Sequence, residues 1–216
     1  MSPSQKSARE ARQRVAEMRA KEKRRERRNK VLGVSAAGVV AAALVAGAVW
    51  MVTQQESAPP VKSAPVTSKV RDDGVTIYEG LTANHVTKDV AYGQTPPVGG
   101  DHNAVWQNCG IYGDPLKDVN AVHSLEHGAV WITYGKGLAE AQVTALRDLV
   151  RGKPYVLLSP HDGVADGIFA SAWGAQLKVT DPADAKLTAF ITEFAQSPNA
   201  PEPGAPCTSG TGQPQD

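Results

Sequence analysis

Two cysteines in 216 residues are too few for a disulfide-dense scaffold or a four-thiolate zinc site. Long apolar runs are equally scarce. A single segment is long enough to span a bilayer, which excludes a polytopic transporter. No phosphate-binding Walker glycines, dinucleotide glycine pattern, Cys-x-x-Cys pair or Gly-x-Ser-x-Gly elbow occurs. No internal repeat is present. Net charge is also nearly absent, at +1, but this value hides an asymmetry. Residues 1–30 hold twelve Lys/Arg and four Glu, a net of +8, so the remainder carries −7 together with all five histidines. Such an imbalance reports a compartment or a partner rather than a fold.

Val31 to Val52 carries no charge and is mostly Val, Ala, Leu and Gly. About 20 apolar helical residues cross a hydrocarbon core of ~30 Å. Trp50 lies where an indole rests at the lipid–water boundary. The basic block Lys21–Lys30 immediately precedes the run, so the N-terminus is expected in the cytoplasm and the C-terminal part outside. Ala46-Gly47-Ala48 offers a signal-cleavage pattern, but a cleavable apolar region is usually ~7–15 residues, and this one is longer. An uncleaved single-pass anchor is the expectation. Its partners would be membrane lipids, drawn also to the basic tail. The −7 outer part argues against nucleic acid.

The chain thus divides into a basic cytoplasmic tail (1–30), a transmembrane helix (31–52) and a Pro/Ser-rich stalk (53–70). An extracytoplasmic α/β domain (71–197) and a Pro/Gly-rich tail (198–216) follow. Within the domain, Val75–Tyr78, Ala129–Tyr134, Tyr155–Leu158, Ile168–Trp173 and Gln176–Val179 read as strands. Leu138–Arg151 reads as a helix, with Val143, Leu146 and Leu149/Val150 at helical spacing and Gly152 as its stop. A final helix is expected to start at Asp181-Pro182 and to carry Leu187, Phe190, Ile191 and Phe194 on one stripe. The fold class is therefore mixed α/β (α+β), with a strand–helix–strand–strand–helix C-terminal half. That order is loosely compatible with the second half of a thioredoxin-like fold. Cys109 and Cys207 both lie in the outer part, and an oxidising compartment would allow their disulfide, the one pairing available within the chain.

Residues 85–134 hold four of the five histidines in a stretch rich in Gly, Pro and Asn. Loops on a rigid scaffold are where binding residues concentrate. The run contains His85, Tyr92, Pro96-Pro97-Val98-Gly99, His102, Trp106, Gly110-Ile111-Tyr112, Pro115 and Val122-His123-Ser124-Leu125-Glu126-His127-Gly128. This pattern resembles domain of unknown function 3105, found in actinobacterial membrane-anchored proteins, over about residues 75–195. Ser is usual in that family where Gly99 stands here. The resemblance implies a single-pass anchor with an outer domain. It carries no established activity and no catalytic residue onto this chain.

The chemistry must come from the side chains. His123 and His127 share a face if their segment is helical, which suits two imidazoles on one metal ion, zinc or copper. His102 or His85 would complete three nitrogen ligands, with Glu126 as oxygen ligand or base. If the segment is extended instead, His123 and His127 lie ~13 Å apart, too far to share an ion. The expected gathering is His123, His127 and His102, with Glu126 alongside. The alternative is a hydrogen-bonded network in which these side chains hold loop backbones. His-x-x-Glu-His also matches an inverzincin protease string, which a following glycine and strand argue against. His161, in Ser159-Pro160-His161-Asp162-Gly163, reads as an exposed turn residue. The function classes left open are an envelope domain binding metal through histidines, a hydrolytic or redox metalloenzyme of the cell surface, and an adaptor without metal.

Overall fold

The computed structural model describes Met18, residues 21–28, Val45, residues 60–63 and residues 65–215. The chain forms two units, Met1–Ser57 and Ala58–Asp216. In the first, residues 21–28 are helical and exposed. The transmembrane span expected at Val31–Val52 lies outside the described residues apart from Val45. Among the described residues, no helix is long and apolar enough to cross a membrane.

The second unit is a mixed α/β domain. Its short strands β1 (Val61–Lys62) and β4 (Val90–Ala91) pair in parallel as a two-stranded ribbon. Seven others form one sheet: β2 (Thr67–Val70), β3 (Thr76–Glu79), β5 (Gly110–Ile111), β6 (Val130–Tyr134), β7 (Val156–Pro160), β8 (Ile168–Ala172) and β9 (Ala175–Val179). Their order is β2-β3-β9-β8-β6-β7-β5. β6 and β7 run parallel, with Ile132 opposite Leu158, whereas β8 is antiparallel to both β6 and β9. Three helices accompany the sheet: α1 (Asp118–Glu126), α2 (Glu140–Val150) and α3 (Ala185–Phe194).

The central strands are continuous apolar runs because both faces are covered. Side chains alternate across β6 and β7. Val130, Ile132, Tyr134, Val156 and Leu158 join the larger core with Val143, Leu146 and Val150 of α2 and Leu187, Phe190, Ile191 and Phe194 of α3. Ala129, Trp131 and Leu157 join a second cluster with Ala121 and Leu125 of α1 and with Cys207. The parallel β6–α2–β7 connection is the step that places α2 across the sheet.

Three local readings change. The last helix is capped by Asp184, whose carboxylate accepts from the Lys186 N–H, and not by Asp181. Asp181 instead holds a turn by accepting from the Ala183 N–H, so the helix begins after Ala183. Thr67–Val70, assigned by composition to the stalk, pairs with β3 at the sheet edge, with Ser68 opposite Tyr78. An edge strand can be fully exposed, as this one is, because backbone pairing rather than burial defines it. His161 is buried, not an exposed turn residue. Its Nδ1 accepts from the Gly163 N–H, so its Nε2 donates to Asp118 at 3.1 Å. Both ring nitrogens are thereby engaged, which leaves this dyad no free base.

Candidate metal centre

The site is built on α1 and the loops beside it. Gly128, with φ +92°, ends the helix in a conformation that a side chain resists, and a Cβ there would meet the Gln196 backbone at 3.0 Å. The segment Val122–His127 is therefore helical at its core, and His123 and His127 do stand one turn apart. Every residue of α1 from Val119 to Glu126 is buried, including its polar side chains. A helix buried all round needs partners for each polar group, and here they come from distant backbone.

The loop 103–107 is bonded along α1. Asn103 N–H donates to the Val119 carbonyl, Asn120 Nδ2 donates to the Val105 carbonyl, and Ser124 Oγ donates to the Gln107 carbonyl at 2.7 Å. The C-terminal segment covers the end of the helix. Glu202 N–H donates to the Glu126 carbonyl and Gly204 N–H to the His127 carbonyl. Helix ends leave such carbonyls without internal partners, and this tail satisfies them. The Cys109–Cys207 disulfide, with Cα atoms 5.4 Å apart, fastens the same tail to the domain.

Three imidazoles are oriented in one way. His102 Nδ1 donates to the Gly100 carbonyl at 2.8 Å, His123 Nδ1 to the Asn103 carbonyl at 2.6 Å, and His127 Nδ1 to the Pro206 carbonyl at 2.7 Å. A carbonyl only accepts, so each Nδ1 carries a hydrogen and each neutral ring presents a bare Nε2. Orienting bonds of this kind are how metal-binding histidines are held in place. His102 reaches its partner because Gly99 and Gly100 both take positive φ, at +137° and +116°. A Cβ at Gly99 would lie 2.9 Å from Leu81 and 3.2 Å from Trp173, the ring whose edge meets His102 at 5.9 Å.

The Nε2 atoms converge. Glu126 Oε2 lies 2.9 Å from His102 Nε2, 3.7 Å from His85 Nε2 and 4.0 Å from His123 Nε2. The ligand atoms of His85, His102, His123 and Glu126 all lie within 4.8 Å of one another. His85 is half exposed, and the other three are buried. Its backbone bridges that of His102, through Val86 N–H to the His102 carbonyl and His102 N–H to the Asn84 carbonyl. Its ring stacks on His123 at 4.9 Å. His127 stands beside this set, with its Nε2 2.9 Å from His123 Nε2 and 3.7 Å from Glu202 Oε2. Trp106 packs near both His123 and His127. Burial and the neighbouring imidazoles push the His123 pKa down to about 4, so that ring is neutral at pH 7.

Of the residues expected from sequence, His102, His123 and Glu126 meet directly. His85, the alternative third nitrogen, joins them, while His127 contacts only the His123 side of the cluster. Sequence reading missed Glu202, which sits in a Pro-rich tail with no local signal. It also missed the carbonyls of Gly100, Asn103 and Pro206, which sequence pattern cannot reveal. Chemically, three imidazole nitrogens and one carboxylate oxygen are a set that zinc and copper accept.

Fold and cluster together define a mixed α/β domain that gathers histidines and a glutamate on a buried helix. The chain belongs to the family described as protein of unknown function DUF3105, whose model matches residues 85–209. That span takes in every histidine of the cluster, both cysteines and Glu202. Neither the curated proteins nor the solved structures give a match to this chain.

Proposed function

We propose that this protein is a membrane-anchored, extracytoplasmic domain that binds a transition-metal ion, zinc or copper, through His85, His102, His123 and Glu126. The observation that carries this reading is the convergence of those four ligand atoms within 4.8 Å, three of the four residues being buried. Two features support it. Orienting bonds from Nδ1 leave the Nε2 lone pairs of His102 and His123 facing inward. His102 Nε2 and Glu126 Oε2 face each other at 2.9 Å as two acceptors, an arrangement that a cation or a proton must reconcile. His85, half exposed, leaves one side of the ion within reach of solvent, which favours an exchangeable ion over a sealed structural one.

The placement outside the cytoplasm rests on the apolar run Val31–Val52 and the basic block before it. The disulfide is of the kind oxidising compartments permit. Protease added to intact cells should remove the C-terminal domain and spare an N-terminal tag. The reverse pattern overturns the orientation.

The metal test is titration of the purified, chelator-stripped full chain with zinc and with copper(II), read by competition with a coloured chelator. Wild type should bind at least about a hundredfold more tightly than His102→Ala, since even residues behind the ligands change affinity by ~10–100-fold. Equal, weak binding by both proteins leaves the histidines as loop scaffolding.

A further inference from the structure

One close contact lies outside the set His85, His102, His123 and Glu126. His123 Nε2 and His127 Nε2 lie 2.9 Å apart, and the Nδ1 of each ring donates to a backbone carbonyl. Two neutral imidazoles so fixed would point lone pair at lone pair. The buried site therefore contains two facing pairs of acceptors: His102 with Glu126, and His123 with His127. Each pair needs something positive between its members.

From these contacts we infer that the cluster is a two-ion centre, whose second cation position is formed by His123, His127 and Glu202. This rests on the metal-binding reading above and divides its ligands. His85, His102 and Glu126 serve the first ion, and His123 turns to the second. An imidazole nitrogen has one lone pair, so His123 Nε2 binds one ion and not both. Two nitrogens bound at about 2.0–2.1 Å sit about 3.3 Å apart around a tetrahedral ion and about 2.9 Å apart at a right angle, so His123 and His127, 2.9 Å apart, need move by no more than about 0.4 Å to share one. Glu202 Oε2 lies 3.7 Å from His127 Nε2 and brings the second set its own negative charge, as Glu126 does for the first. Two carboxylates for two divalent ions lower the repulsion that would otherwise forbid them at this distance. The two sets meet across the 4.0 Å between His123 Nε2 and Glu126 Oε2.

The tail makes this second position conditional on the fold of the whole domain. Glu202 is placed by its own N–H, which bonds the Glu126 carbonyl, and His127 is aimed by the Pro206 carbonyl next to Cys207. Three of the contacts that build the position thus come from residues 202–206, about 75 residues from His127 in sequence.

The test is zinc stoichiometry of the stripped, purified full chain after equilibrium dialysis, by elemental analysis against protein concentration. Wild type should hold about two equivalents, and His127→Ala about one. Glu202→Gln should weaken the second equivalent by roughly tenfold or more while leaving the first in place. The Glu202 side chain is 58 % exposed, so this variant keeps its fold, which an unchanged melt of the stripped proteins verifies. One equivalent in wild type overturns the second position and leaves the single-ion reading standing. Two equivalents that persist in His127→Ala overturn its ligands. Wild type that holds neither zinc nor, in a parallel dialysis, copper(II) overturns both readings together.

Discussion

On one side of the central strands, Val130, Ile132 and Tyr134 meet two amphipathic helices through Leu146, Val150, Leu187 and Phe190. On the other, Ala129 and Trp131 meet a nine-residue helix whose buried residues include Asn120, His123, Ser124 and Glu126. The first face is held by apolar contact between regular elements, strands against two helices. The second is held by single hydrogen bonds to the chain far away: His127 to Pro206, Trp106 to Thr208, Tyr155 to Gly204. The first arrangement tolerates exchange of one apolar residue for another of similar volume. The second has an obligatory partner for each polar group, and removing one strands the other.

The largest expected effect tests the apolar face. Leu146 is completely buried between α2 and the sheet. Leu146→Ala should destabilise the domain by about 2–5 kcal/mol, through lost burial and a residual cavity. Denaturant unfolding of the stripped chain measures it. A loss below about 1 kcal/mol would mean that this face relaxes freely and is not the packed half of the comparison.

The polar face should answer next to its covalent fastening. Cys109→Ser with Cys207→Ser opens a loop of 98 residues and should cost about 2–4 kcal/mol. The more telling readout is local. Without the bond, the Pro206 carbonyl and the Glu202 N–H lose their anchor, so amide exchange should rise in residues 198–215 and at the end of α1 before it rises in β6 or β7. Uniform acceleration across the sheet would show that both faces depend on the bond alike.

The same contrast explains what could be read from sequence. Periodicity marked Leu187, Phe190, Ile191 and Phe194 correctly because a helix against a sheet repeats its environment every turn. β6 stood out as Ala129–Tyr134 for a similar reason, an unbroken β-branched and aromatic run covered on both sides. His102, His123 and Glu126 were legible through residue type and the four-residue spacing of the histidines. The bonds that aim them were not, since any residue can lend its carbonyl. His161 misled because its neighbours are turn formers, while its burial depends on Asp118 and Trp131 from elsewhere in the chain. Glu202 gave no sign, because an acid between prolines becomes a candidate ligand only when a distant disulfide sets the tail in place.

The smallest expected effect concerns pH, and it separates the faces without altering packing. The apolar face has little to titrate. On the polar face, His123 is held neutral, with its pKa lowered to about 4 by burial, against a countervailing bond to the Asn103 carbonyl. In the unfolded chain the same ring takes a proton near pH 6.5. Between these values the unfolded state binds more protons, so stability rises with pH. The contribution is complete above about pH 6.5, is lost as pH falls towards 4, and changes no further below that. His85, His102 and His127 face the ring and oppose its charge, whereas the Glu126 carboxylate 4.0 Å away attracts it. The lowered value of about 4 is the net of these fields, and its distance from 6.5 bounds the loss at about 3 kcal/mol. Urea midpoints of the stripped chain from pH 7 to 4, for wild type and His123→Gln, isolate the effect, since the other groups titrate in both. The variant should show the shallower fall. Parallel curves would mean that His123 takes up its proton in the folded domain as readily as in water, and that the imidazole pair is already bridged by one.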